Sequence, residues 1–109
     1  MEEINENKSF RIVLDFFDED GLATTPDEAH YSILDDNSDT FIVDTQRFIP
    51  SSPQYVLVIP SEHNQILNDK SRTEKRRLTI TWSYASGNGE GAEEIVYLVK
   101  NLKGIKPIE

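Results

Sequence analysis

Short runs of alternating or β-branched side chains, separated by turn-forming residues about every 8 to 15 positions, constrain the fold of this chain most strongly. The clearest run is Leu78–Tyr84, where every second residue is a large apolar or aromatic one and threonine or serine lies between. No long segment repeats apolar residues with the period of a helix. The pattern therefore predicts an all-β protein.

Six such runs predict strands, at Phe10–Phe17, Ala29–Leu34, Thr40–Asp44, Tyr55–Ile59, Leu78–Tyr84 and Ala92–Val99. Between the last two, Gly87-Asn88-Gly89-Glu90-Gly91 predicts a hairpin loop. Ser61–Leu67 predicts one helical turn, with Ser61 as its N-cap. The economical arrangement of these elements is a two-sheet antiparallel β-sandwich, immunoglobulin-like in build, with six to seven strands.

The length of 109 residues suits one domain. We expect that domain to cover residues 9–103, with a disordered N-terminal tail at residues 1–8 and a C-terminal tail at residues 104–109. The start, MEEINENK, is acidic and polar, whereas a secretory signal is basic and then apolar. We therefore expect the protein to be cytoplasmic as synthesised, with no signal peptide and no membrane partner.

The charge balance argues against nucleic acid as a partner. The net charge is −9, whereas a nucleic-acid binder presents lysine and arginine to the phosphates. The one basic cluster, Lys75-Arg76-Arg77, leads into an apolar run, and we interpret it as the solvated, protective start of a strand. The absence of cysteine excludes disulfides and thiolate metal sites.

No catalytic grouping emerges from the sequence, and we predict a protein that is not an enzyme and takes no cofactor. His30 and His63 lie at the start of a strand and in a polar turn, and we interpret both as solvated. The acidic loops lack the ligand spacing of an EF-hand, and turn formation alone explains their aspartates, so we predict no metal site. Those loop acids are Asp18, Glu19, Asp20, Asp35, Asp36 and Asp39.

Aromatic side chains fall on the alternating positions that we assign to the core, which favours packing over an exposed sugar-binding platform. They are Tyr31, Tyr55, Trp82, Tyr84 and Tyr97.

Apolar residues also occupy outward positions, and these are the candidate interface. If the first strand and Tyr55–Ile59 share a sheet, Val13, Val56 and Val58 form one outward patch. Phe17 also points outward from the first strand, while Val96 and Leu98 point outward near the edge of the other sheet. Two interpretations stay open: β-branched residues simply suit half-exposed strands, or the outward pairs form a surface for self-association or a protein partner.

The order of these segments resembles that of a known group. A strand ending in Asp18-Glu19-Asp20-Gly21 is followed by Tyr31-Ser32-Ile33-Leu34-Asp35-Asp36, by Tyr55-Val56-Leu57-Val58-Ile59-Pro60-Ser61, by Lys75-Arg76-Arg77-Leu78-Thr79-Ile80-Thr81, and by Tyr97-Leu98-Val99-Lys100-Asn101-Leu102. Together they resemble small immunoglobulin-like proteins, close in build to fibronectin type III domains, that tailed-phage and prophage genomes encode. The resemblance covers about residues 9–103.

The resemblance implies a fold and a virion-associated location, but it transfers no functional residues. The chain departs from antibody domains in lacking cysteine, and its single tryptophan, Trp82, lies in the next-to-last strand. The leading hypothesis is a non-enzymatic structural or interaction module, a phage or prophage virion or assembly protein that acts through protein–protein contacts. The alternative is a carbohydrate- or calcium-binding adhesion-type β-sandwich domain.

Overall fold

The computed structural model describes residues 2–68, 70–85 and 87–102. They form seven strands and one short 3₁₀ helix, Ser61–Asn64. The strands are β1 Glu2–Asn5, β2 Phe10–Asp15, β3 Glu28–Asp35, β4 Thr40–Phe48, β5 Gln54–Ile59, β6 Thr73–Tyr84 and β7 Gly89–Lys100. The prediction of an all-β chain with six to seven strands is confirmed for the described residues. That part of the chain contains no helix long and apolar enough to cross a lipid bilayer.

The strands build two sheets that together make a β-sandwich. The larger sheet has the order β1-β7-β6-β3-β4, and the smaller one pairs β2 with β5. Neighbouring strands run antiparallel except β1, which lies parallel to the end of β7. The core lies between the sheets and consists of Ile4, Ile12, Leu14, Phe16, Tyr31, Ile33, Leu57, Ile59, Leu78, Ile80, Tyr97 and Val99.

Alternation places those side chains inward. In β3 every second residue is buried, and the same pattern runs through β6 from Glu74 to Ile80. Because successive side chains in a strand point to opposite faces, each strand contributes one apolar row to the core and one row to the outer surface.

The hairpin of β6 and β7 depends on two glycines. Gly91 lies opposite Trp82 and Gly89 opposite Tyr84, and each aromatic ring covers its partner glycine. A Cβ atom at either glycine would overlap the ring. The glycine-rich segment therefore serves the predicted hairpin in two ways, through the turn and through close packing of aromatic rings on the backbone.

Several expectations about boundaries were wrong. Glu2–Asn5, expected in a disordered tail, form strand β1 beside Tyr97–Lys100, because Ile4 enters the core. Strand β4 extends to Phe48, and β6 begins five residues before Leu78, at Thr73. Ser61 does not cap the helical turn, since the residue before it, Pro60, occupies the N-cap position without a side-chain hydrogen bond. The expected C-terminal tail, residues 104–109, lies outside the described residues.

Candidate functional site on the two-stranded sheet

The outer face of the β2–β5 sheet carries three exposed valines. Val13 lies directly opposite Val56, and Val58 lies opposite Arg11. The exposed fractions are 58% for Val13, 48% for Val56 and 46% for Val58. The prediction that these two strands share a sheet is confirmed, and the three valines form one contiguous surface, which we call the valine face.

The core fixes the position of the valine face. Ile12 and Leu14 of β2, and Leu57 and Ile59 of β5, are buried against the larger sheet. A shift of register by one residue would expose these four side chains and bury the valines in their place. The outward direction of the valines therefore follows from the same alternation that builds the core.

Polar groups border the valine face at both ends of β2. Arg11 lies two residues before Val13 and Asp15 two residues after it. The Gln54 side-chain amide donates a hydrogen bond of 3.0 Å to the Asp15 carboxylate. The face thus has an apolar centre, a positive charge at one end and a negative charge at the other. No described residue pairs as a strand with the outer edges of β2 or β5.

Val96 and Leu98 lie on the opposite side of the sandwich and are only partly exposed. They point outward from β7, as expected, because Tyr97 and Val99 between and beyond them are buried. Val96 is paired with Arg77 of β6, and Leu98 is paired with Lys75 and with Glu3 of β1. Long charged side chains therefore flank both residues. The structure therefore brings Val13, Val56 and Val58 together on one surface. Val96 and Leu98 lie on a different surface.

An ion-pair network occupies the middle of that opposite face. Arg77 donates a hydrogen bond of 3.1 Å from Nε to Asp36, and a terminal guanidinium nitrogen forms an ion pair with Glu94. The Arg77 hydrogen bond holds the pKa of Asp36 below its ordinary value, and Asp36 in turn raises the pKa of Arg77. This face is therefore more polar than the valine face.

The interpretation of the basic cluster as a solvated strand start was wrong for Arg76. Its side chain is fully buried, because it occupies an inward position of β6 at one end of the sandwich. Arg76 Nε donates to Asp35 at 2.9 Å and Nη2 donates to Glu74 at 2.5 Å. It also donates to the main-chain carbonyls of His63 and Gln65. The residue expected at a solvated strand start instead joins β3, β6 and the 3₁₀ segment.

The two carboxylates of this cluster have further donors. Glu74 accepts hydrogen bonds from the main-chain amides of Leu67 and Asn68, both at 2.8 Å. Asp35 accepts from the main-chain amide and the hydroxyl of Ser38. We call Asp35, Glu74 and Arg76 the buried ion cluster. Sequence reasoning missed it, and the available signal was that Glu74 and Arg76 continue the inward alternation of β6.

The acids of the first loop serve the turn. Asp18 Oδ1 accepts from the main-chain amides of Asp20 and Leu22, at 2.9 and 3.0 Å. The Glu19 carboxylate accepts a hydrogen bond from the Tyr84 hydroxyl, which raises the pKa of Tyr84 and lowers that of Glu19. Across the described ranges, no three histidine, aspartate or glutamate side chains are grouped as a metal site requires.

The five aromatic residues assigned to the core all face it. Tyr31, Tyr84 and Tyr97 are buried, while Tyr55 and Trp82 are partly buried; Tyr55 stacks on Phe48 and Trp82 meets Phe16 edge-on. The Tyr97 hydroxyl donates to Asn64 Oδ1 at 3.1 Å, and Asn64 Nδ2 donates to the Lys8 carbonyl. Asn64 therefore ties the N-terminal segment to the core, a role that its place in a polar turn did not indicate.

Tyr97 makes folding sensitive to alkaline pH. Burial raises the pKa of its hydroxyl from about 10 to about 12, against the attraction of nearby Arg76. The folded state disfavours the phenolate. The contribution of Tyr97 to the free energy of unfolding is therefore fully present below pH 10, and roughly 2 to 3 kcal/mol is lost as the pH rises towards 12. Urea unfolding between pH 8 and 11.5 checks this. The Tyr97→Phe variant is expected to start less stable and to lose less stability with pH; an equal loss in both proteins would contradict the assignment.

The fold and surfaces described above place the protein in the class of β-sandwich domains. Comparison with known proteins adds no relative: no protein-family model, no curated protein and no solved structure matches the chain.

Proposed function

We propose that this domain is a non-enzymatic interaction module that forms protein–protein contacts through the valine face. The observation that carries the proposal is the direct pairing of Val13 with Val56, beside Val58, on the outer face of the sheet. Contiguous apolar side chains on two neighbouring strands are more than the scattered valines of an ordinary surface. Many of the polar side chains have partners within the domain, as in the buried ion cluster and the Arg77 network.

The valine face suits a second copy of the same chain. Consider a two-fold axis that crosses the strands at the Val13–Val56 pair. Each of these valines then meets its own counterpart, and Arg11 of each copy lies opposite Asp15 of the other. The contact is self-complementary in charge, and Val58 of each copy lies opposite Gln54 of the other. Because three half-exposed valines are a small surface, the expected association is weak.

We further infer an immunoglobulin-like topology and a phage or prophage virion or assembly role. If the seven strands are assigned in order as A, B, C, C′, E, F and G, then C, F and G are neighbours in one sheet and B pairs with E in the other. Those groupings are the ones that immunoglobulin-type sandwiches use, and they support the topology. The virion or assembly role has its support in the sequence resemblance and in a surface suited to repeated contacts between copies.

Substitution of two valines tests the proposal. Burying one valine fully contributes about 1.5 to 3 kcal/mol, so Val56→Thr with Val58→Thr is expected to abolish self-association. Threonine keeps the strand propensity, and the core positions are untouched, so the free energy of unfolding is expected to change by less than about 1 kcal/mol. Sedimentation up to about 1 mM and urea unfolding measure the two quantities.

The opposite side of the sandwich supplies the matched control. Val96→Thr with Leu98→Thr makes a comparable apolar-to-polar change on β7, where charged residues flank both positions. This variant is expected to associate as the parent does. If instead it loses association while Val56→Thr with Val58→Thr keeps it, the contact surface is on the larger sheet and the proposal for the valine face is wrong.

A further inference from the structure

A second surface lies along one side of the sandwich, where strand β7 has a free edge. Strand β1 pairs only with Tyr97–Lys100 of β7. Over Gly89–Val96 no described residue pairs with that edge of β7. The main-chain groups on this side of β7 are therefore available to another strand.

An open groove of about 400 Å³ lies between this part of β7 and strand β2. It is lined by Val13, Asp15, Phe17, Trp82, Ala92 and Glu93. Four of the six lining residues are apolar, and Phe17 is 50% exposed. Its two charged side chains are both acidic. The groove therefore offers apolar surface and negative charge beside a row of free main-chain groups.

Trp82 adds an unused hydrogen-bond donor. Its indole Nε1 is buried and has no acceptor among the described residues. The ring covers Gly91, and a Cβ atom at Gly91 would overlap the indole edge that carries Nε1. The donor thus lies against the β7 backbone, beside the groove. A strand bound along this edge would therefore change the surroundings of the indole.

We propose that an extended, basic segment of a partner protein adds as a strand to the free edge of β7 along Gly89–Val96. Main-chain hydrogen bonds to β7 hold the segment, which is the mode of recognition called β-strand addition. A lysine or arginine of the segment lies between Asp15 and Glu93, and the segment lies beside Trp82. This site lies beyond the proposed function of the valine face. It shares Val13 and Asp15 with that surface and its border, but it does not require association of two copies.

The charges favour a basic partner over a second copy. Glu90, Glu93 and Glu94 lie on the open part of β7 and are exposed. Glu94 is already paired with Arg77, whereas Glu90 and Glu93 have no ion pair among the described residues. Two copies joined edge to edge would bring four such glutamates together, whereas a basic segment would neutralise them. The same glutamates repel acidic strands, which gives the edge its selectivity.

A fluorescence titration tests the proposal, because Trp82 is the only tryptophan in the chain. The probe is a synthetic eight-residue peptide of alternating valine and threonine with one central lysine. We expect a saturable change in Trp82 emission on the intact protein. The same peptide with alternate main-chain nitrogens methylated cannot complete the strand hydrogen bonds, and its affinity is expected to fall by at least about tenfold.

Charge-reversal variants locate the contact. Glu93→Lys is expected to weaken binding of the lysine peptide by at least about tenfold, because it places like charges together. Glu62→Lys makes the same change in net charge on the distant 3₁₀ helix and is expected to leave binding near the parent value. The Val56→Thr, Val58→Thr variant is also expected to bind the peptide normally, which separates this site from the valine face.

Three results would overturn the proposal. The first is no saturable change at millimolar peptide, and the second is equal binding of the methylated peptide. The third is equal weakening by Glu93→Lys and Glu62→Lys, which would show attraction by net charge alone.

Discussion

Replacing Arg76 with methionine is expected to destabilise the domain by about 3 to 5 kcal/mol. The substitution leaves Asp35 and Glu74 buried next to each other without their cation, and an uncompensated buried charge is costly. It also removes the donors to the His63 and Gln65 carbonyls, which attach the 3₁₀ segment to β6. Because small domains are stable by only about 5 to 15 kcal/mol, this loss brings the domain close to unfolding.

Arg77 provides the control for that experiment. Arg77→Met removes the same charge one residue along, from a side chain that is partly exposed and paired with Asp36 and Glu94. Ion pairs of this kind contribute about 0 to 1 kcal/mol, so the control is expected to stay within that range. Denaturant unfolding measures both variants. Equal and small effects would mean that Arg76 is solvated, as its sequence context suggested.

Replacing Phe16 with alanine is expected to cost about 3 to 5 kcal/mol as well. Phe16 is buried just after β2, and its ring meets the edge of Trp82 on the other sheet, with the ring centroids 5.2 Å apart. The contact is one of those that join the two layers. Removing the ring leaves a cavity between the sheets that rigid strands fill only in part.

The neighbouring Phe17 shows whether the loss of stability comes from the burial of the ring or from removing a phenyl ring as such. Phe17→Ala removes an identical ring that is half exposed, and the expected loss of stability is within about 1 kcal/mol. Thermal or denaturant unfolding of the two variants compares them directly. If Phe17→Ala were the more damaging change, the inward and outward faces of β2 would be exchanged.

The sequence predicted much of the sandwich because alternation reports the faces of a strand directly. In β2, β5 and β6 the inward and outward sides followed from every second residue, and the valine face followed from them. The pairing register between strands could not be predicted from this alternation. Which outward residues lie side by side depends on pairing between distant strands, so the pairing of Val96 with Arg77 and of Leu98 with Lys75 emerged only from the structure.

The buried ion cluster escaped sequence reasoning for a related reason. A charged residue at an inward position is expected to be solvated unless a partner is known, and the partner of Arg76 lies 41 residues away in Asp35. The main-chain amides that bind Glu74 belong to the segment between β5 and β6, and the amide that binds Asp35 belongs to the turn after β3. Such a cluster exists only once three separate segments meet at one end of the sandwich.

Strand β1 was missed because its local sequence gives little signal. Four residues with a single apolar side chain, Ile4, do not form a strand alone. Its stability comes from pairing with the end of β7 and from Asn64, which holds the following turn through the Asn7 amide and the Lys8 carbonyl. These are long-range contacts that no local pattern contains.

Nuclear magnetic resonance of the parent protein over a dilution series tests the role of the valine face most directly. Amide shifts that change with concentration identify the residues that meet another copy. We predict that they cluster at Arg11–Asp15 and Gln54–Val58, and that Val56→Thr with Val58→Thr removes them. Concentration-dependent shifts confined to β7 and β6, or no such shifts up to about 1 mM, would contradict self-association through this face.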